Sequence, residues 1–192
     1  MLRMLFAALV VLFSNTAIAS KMGDDGIHKE DWFSITFRDV AEDIAAAKAE
    51  GKRLVIVFEQ RGCIYCAQMH EKILSDPEVR DYIQANFKVV QYNLFGDEEV
   101  TDLDGSVLTE KTAARKWGVV FTPTMIFMKE NAEGKSASEA AAVVMPGAFG
   151  KWTFLNMFKW VREKGYEGEE HFQAYHARII MELRAAGRID AE

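Results

Sequence analysis

At 192 residues the chain fits one domain of ordinary size with a substantial core. Its 49% hydrophobic and 27% charged residues exclude intrinsic disorder, and 23 basic against 29 acidic residues, a formal charge of −6, leave no electrostatic footprint for nucleic acid. A small or protein partner is the expectation.

The first nineteen residues differ from the rest. Arg3 supplies a positive start, Leu5 to Phe13 is an uninterrupted apolar run, and Ala17-Ile18-Ala19 precedes Ser20. Basic start, short apolar centre and small-x-small end are the marks of a secretory signal peptide, with cleavage predicted after Ala19. The run falls short of the roughly 20 apolar residues that span a bilayer. The processed chain, with charge −7 once Arg3 is lost from −6, is therefore expected to be exported to the periplasm and not to be an integral membrane protein. The alternative is an anchor helix that stays attached.

Residues 20–35 read as a leader, polar and mobile over 20–31, where Gly23, Asp24, Asp25 and Gly26 cluster. From Asp39 to Ala49 the spacing of Val40, Ile44 and Ala47 predicts a helix ended by Glu50-Gly51-Lys52. Leu54 to Phe58 is a continuous apolar run rich in β-branched residues, which predicts a strand buried on both faces. Cys63-Ile64-Tyr65-Cys66 follows, and Ala67 to Leu74 has helical composition. Asp76 as cap and Pro77 at the first helical position predict a helix over 78–85. Phe87 to Leu94 reads as a strand, Gly96 to Thr109 as an acidic loop or insertion, and Glu110 to Trp117 as a helix ended by Gly118. Strands over 125–128 and 141–145, a helix over 152–163, and an amphipathic helix carrying Phe172, Tyr175, Ile179 and Leu183 complete the chain. The last helix needs a surface to pack on, its own domain or a partner. The predicted organisation is a domain over 36–163, a C-terminal helical extension over 164–192, and an α/β class with a central mixed sheet of about four to five strands flanked by helices.

The chain holds only two cysteines, three positions apart in an exported protein. A disulfide closing so short a loop removes little denatured-state entropy, so its use is expected to be chemical. At the start of a helix, Cys63 meets unsatisfied amide N–H groups and the positive end of the dipole, which favours thiolate, while Cys66 lies deeper. Cys63 is thus the expected nucleophile and Cys66 the resolving thiol, with no metal or other cofactor required. Zinc would need about four ligands; His70 is the only nearby candidate for a third, against its reading as a surface or capping histidine. Covalent haem attachment would need histidine where Ala67 stands.

The strand Leu54 to Phe58, the Cys63–Cys66 motif opening a helix, and Gly118-Val119-Val120-Phe121-Thr122-Pro123-Thr124 before a strand together resemble the thioredoxin superfamily over roughly residues 36–163. The stretch from Glu59 through Met69-His70, the Asp76-Pro77 helix start and the acidic segment 96–105 look like the periplasmic SoxW-type thioredoxins associated with sulfur oxidation. The resemblance implies a thioredoxin fold with an extra C-terminal helix, Pro123 as a cis-proline facing the cysteines, and Thr122 bordering the bound substrate. Tyr65 either offers substrates an aromatic contact or covers the helix start. Thioredoxins proper usually carry Trp-Cys-Gly-Pro-Cys and an aspartate six residues before the first cysteine; here Gly62 and Val57 occupy those positions. Glu59 is the nearest acidic substitute for proton transfer, the alternative being an exposed glutamate paired with Arg61. Asp102-Leu103-Asp104-Gly105 lacks the ligands of a calcium loop and reads as part of a solvated insertion.

The leading expectation is a periplasmic reductant of client protein disulfides, supplied by a membrane thiol electron donor. It favours reduction because Ile64-Tyr65 lacks the histidine that strong oxidants of this fold carry between their cysteines. The alternatives are a disulfide-forming oxidant, a non-catalytic peptide- or partner-binding module, and a zinc site at Cys63, Cys66 and His70.

Overall fold

The computed structural model describes residues 21–132 and 135–189, so the predicted signal peptide and its cleavage point lie outside the described residues. Strands β1 (Lys21–Met22) and β2 (His28–Lys29) pair antiparallel around an Asp-Gly turn in which the Asp25 carboxylate accepts from the Ile27 amide. Ile27 and Glu30 are buried, and the Ser34 amide donates to the Val89 carbonyl. The leader is therefore packed on the domain, contrary to the mobile segment expected from its polarity.

Helix α1 (Val40–Ala49) is capped by Asp39 and stops before Gly51, whose φ of 69° few other residues adopt without strain. Strand β3 (Arg53–Glu59) is buried along its whole length, as its apolar run requires. Helix α2 (Ile64–Gln68) passes without a break into a π-helical turn, Met69–Leu74. Helix α3 (Pro77–Asn86) starts as expected, with the Asp76 carboxylate accepting from the Glu78 and Val79 amides and proline at its first position. Strand β4 (Phe87–Asn93) then returns parallel to β3.

The acidic insertion has structure of its own: β5 (Glu99–Thr101) and β6 (Val107–Thr109) form a hairpin leading into α4 (Glu110–Lys116), which Thr109 and Thr112 cap reciprocally. Asp102 within it is not solvated. It is 2% exposed, and its carboxylate accepts from Trp117 Nε1 at 2.9 Å, the Ala137 amide at 2.8 Å and the Leu103 amide at 2.8 Å. Lys116 neutralises it at 2.8 Å.

Strand β7 (Thr124–Met128), helix α5 (Ala137–Ala140), strand β8 (Ala141–Pro146) and helix α6 (Lys151–Arg162) follow. The main sheet has the order β4-β3-β7-β8, with β3 and β4 parallel and the other two pairings antiparallel. Alternation along β3 splits the core. Leu54, Ile56 and Phe58 pack with Tyr92, Trp117 and Ile126 on the side of α1 and α4. Val55 and Val57 pack with Met69, Ile83, Phe127 and Phe158 on the side of the cysteine helix, α3 and α6. Helix α7 (Phe172–Ala185) docks on α6, with Tyr175 and Leu183 buried and Phe172 against Trp160, so the extension covers its own domain.

Candidate active site

The turn out of β3 runs through Gly62, whose φ of 72° suits glycine and sets the next residue at the mouth of α2. That residue, Cys63, has extended backbone and caps the helix itself: its Sγ accepts from the Cys66 amide at 3.1 Å. The two cysteines are joined as a disulfide with Cα atoms 5.2 Å apart. Cys66 is 1% exposed, whereas Cys63 is partly open to solvent.

Facing this pair is the loop before β7. The Thr122-Pro123 peptide is cis, and the Thr124 hydroxyl donates to the Phe121 carbonyl at 2.7 Å. Thr122 reaches Cys63 with two groups: its hydroxyl donates to Sγ at 3.3 Å, and its carbonyl oxygen lies 3.5 Å from the same sulfur. Two donors converge on Cys63 Sγ at a helix N-terminus, the environment that stabilises a thiolate. Around them Ile64, Tyr65, Val120 and Phe121 are each more than half exposed. Tyr65 thus presents its ring to solvent at the helix start, beside the cysteines.

Beneath the cysteine helix lies a polar centre that was not expected. Glu59, at the end of β3, is fully buried and accepts from Gln91 Nε2 at 2.8 Å; Arg61 turns away to donate to the Asp25 carbonyl at 3.0 Å. The exposed Glu59–Arg61 pair anticipated as one reading is absent. His70 is 1% exposed and neither caps nor faces solvent. Its Nδ1 is 2.8 Å from Glu30 Oε1, and its Nε2 is 3.0 and 3.1 Å from the two Glu59 oxygens. Burial alone would push the imidazole down, but the hydrogen bonds its ring nitrogens donate to both carboxylates, reinforced by the carboxylate charge, outweigh it and push His70 up to about 9. With both nitrogens committed, His70 is no third metal ligand beside the cysteines. Among the described residues no group of three or more His, Cys, Asp or Glu is placed to hold a metal ion, and no helix is long and apolar enough to cross a membrane.

Glu30 escaped the sequence reading because it lies 40 residues from its partner. For His70 a signal existed: it stands four residues after Cys66, on the face that Cys66 and Met69 bury.

A family model described as a thioredoxin-like domain matches residues 40–150. A thioredoxin from Thermus thermophilus is 27% identical, with 66% of this chain and 86% of that chain covered and a TM-score of 0.51. A thioredoxin-fold protein from Helicobacter pylori is 19% identical, with 73% and 87% covered and a TM-score of 0.51. Among curated proteins, none matches the chain.

Proposed function

The chain belongs to the thioredoxin-like domain family and is a thiol-disulfide oxidoreductase; from that premise we propose that it reduces disulfides of client proteins in the periplasm, with Cys63 attacking and Cys66 resolving. The observation that carries the assignment of roles is the asymmetry at the sulfurs. Cys63 Sγ is reachable and receives two hydrogen bonds, from the Cys66 amide and the Thr122 hydroxyl, while Cys66 is shut from solvent. Thiolate is the attacking species, so the reachable, stabilised sulfur reacts first.

In the forward direction the Cys63 thiolate attacks one client sulfur, the client S–S bond breaks, and the first client sulfur leaves as thiolate. Cys66 then gives up its proton, attacks Cys63 Sγ and expels the second client thiolate, so two electrons pass to the client and the 63–66 disulfide forms. Glu59 is the acceptor of the Cys66 proton in this reading, and the proton returns to the departing client thiolate through water. Thr122 and Pro123 border the client segment, with Tyr65 an apolar contact beside them. A membrane thiol donor restores the dithiol. Export rests on the Arg3, Leu5–Phe13 and Ala17–Ala19 pattern, and a role in sulfur oxidation rests on the SoxW-type resemblance.

The test is insulin or client reduction by Cys63→Ser and Cys66→Ser. The first should abolish turnover and the second should accumulate mixed disulfides; normal turnover by either variant would sink the mechanism. A reduction potential near about −120 mV, that of a strong oxidant, would reverse the direction. Fractionation with mass spectrometry of the N-terminus tests export, and an uncleaved cytoplasmic product would refute it.

A further inference from the structure

The Glu30–His70–Glu59 centre is expensive to build: three ionisable side chains, all at least 93% buried, draw on the N-terminal segment, the cysteine helix and β3. Each imidazole nitrogen faces a carboxylate within 3.1 Å. Carboxylates accept, so both contacts are hydrogen bonds only if the ring carries a proton on each nitrogen or one carboxyl is itself protonated. The three groups therefore share protons as a unit. With an imidazolium between two carboxylates the unit has one net negative charge and can take up one more proton.

Its placement points to the dithiol. His70 is four residues after Cys66 in the same helix, and both are 1% exposed, so they share its buried face one turn apart. The turn from Met69 onward is π-helical, a geometry that recurs at functional sites. Glu59 ends the strand that leads into Cys63, on the sheet face this helix covers. Other charged or titratable groups adjoin the centre. His28 stacks on His70 with ring centroids 5.3 Å apart, and Gln91 bridges Glu59 to the Lys29 ammonium, which in turn meets Asp25. Glu30 receives Trp32 Nε1 at 3.2 Å and borders a surface cavity of about 360 Å³.

We propose that His70 and Glu30 are positioning residues of the thiol centre: they hold Glu59 as an oriented, ionised carboxylate that takes the Cys66 proton, so that ionisation of Cys66 and protonation of the buried triad are coupled. This rests on the thiol-disulfide reading above. In the resolving step the Cys66 S–H bond breaks, its proton goes to a Glu59 oxygen, and its electron pair attacks Cys63 Sγ; the imidazolium stays paired with Glu30 throughout.

Coupling of this kind is reciprocal, which makes it measurable in the unaltered protein. A thiolate at Cys66 favours the imidazolium and a disulfide does not. The His70 ring titration, followed by ring ¹⁵N shifts, should therefore lie higher in reduced than in oxidised protein by about half a pH unit or more. Glu30→Gln, which keeps an acceptor for Nδ1, should lower the midpoint in both states and preserve the difference. In His70→Gln, resolution of a preformed Cys63 mixed disulfide at pH 7 should slow by roughly tenfold or more, while alkylation of Cys63 is unchanged. Identical His70 titrations in the two redox states of a wild-type protein that reduces clients would overturn this inference alone. A wild-type protein that reduces no disulfide would overturn the thiol reading itself.

Discussion

The Thr122 hydroxyl and the Cys63 sulfur, 59 residues apart in the chain, meet at 3.3 Å as donor and acceptor. The bond joins the loop before β7 to the first turn of the cysteine helix, and it makes the residue preceding Pro123 an electrostatic partner of the sulfur that the proposed mechanism assigns as nucleophile. Thr122→Val keeps shape and removes the donor. Losing one hydrogen bond to a thiolate should raise the Cys63 titration by about half to one pH unit, read from thiolate absorbance, and slow its alkylation at pH 6 to 7 several-fold. An unmoved titration would show that the helix N-terminus alone stabilises the thiolate.

The His70 imidazole ties its ionisation to the stability of the fold. Its folded-state value, about 9, lies above its ordinary 6.5, so its stabilising contribution is complete below pH 6.5, declines as pH rises and is gone above 9. Across that window the loss is on the order of 3 kcal/mol. Urea unfolding at pH 6.5, 8 and 9 should show falling stability in the wild type and a flatter profile in His70→Gln. Stability that rises over this range in the wild type would contradict the charged assignment.

Asp102 carries a different kind of burden. Its carboxylate joins the β5–β6 hairpin, Trp117 after α4 and the first residue of α5. Asp102→Ala would strand the Trp117 and Ala137 N–H groups and leave Lys116 without its inner partner. Removing one member of such a buried network costs about 3 kcal/mol or more, so the melting temperature should drop by several degrees while reduction by the remaining folded protein persists. A neutral effect would mean that water replaces the carboxylate.

What was legible in the sequence was local. The Leu54–Phe58 run could be read as a buried strand because five consecutive apolar residues leave no solvent face, and Asp76-Pro77 announced a helix through capping chemistry confined to a few residues. Cys63, Cys66, Thr122 and Pro123 stood out for the same reason, as two short motifs in a known order. The centre beneath them was hidden because Glu30, Glu59 and His70 pair across 11 to 40 residues, and no periodicity marks a charged side chain whose partner is that remote. Asp102 was hidden by company: an aspartate among Asp97, Glu98, Glu99 and Asp104 reads as solvated, although its neighbours in space are Trp117 and Ala137. The N-terminal hairpin was missed because its strands are two residues each, too short for alternation to register.

The exposed apolar side chains beside the thiol pair bear on what kind of disulfide the proposed reductase would take. Val120 is 72%, Phe121 65% and Ile64 65% exposed, and they flank Thr122 and Cys63 in sequence, where a charged, soluble surface would ordinarily be expected. A protein client can cover them, whereas a small aromatic disulfide needs only Cys63. Phe121→Ser should therefore raise KM for a protein client roughly tenfold, the equivalent of about 1.4 kcal/mol of lost contact, and leave the rate with the small disulfide within about twofold. Equal losses on both substrates would place Phe121 in support of the Thr122 loop, because a displaced loop weakens the Cys63 thiolate whatever disulfide it attacks.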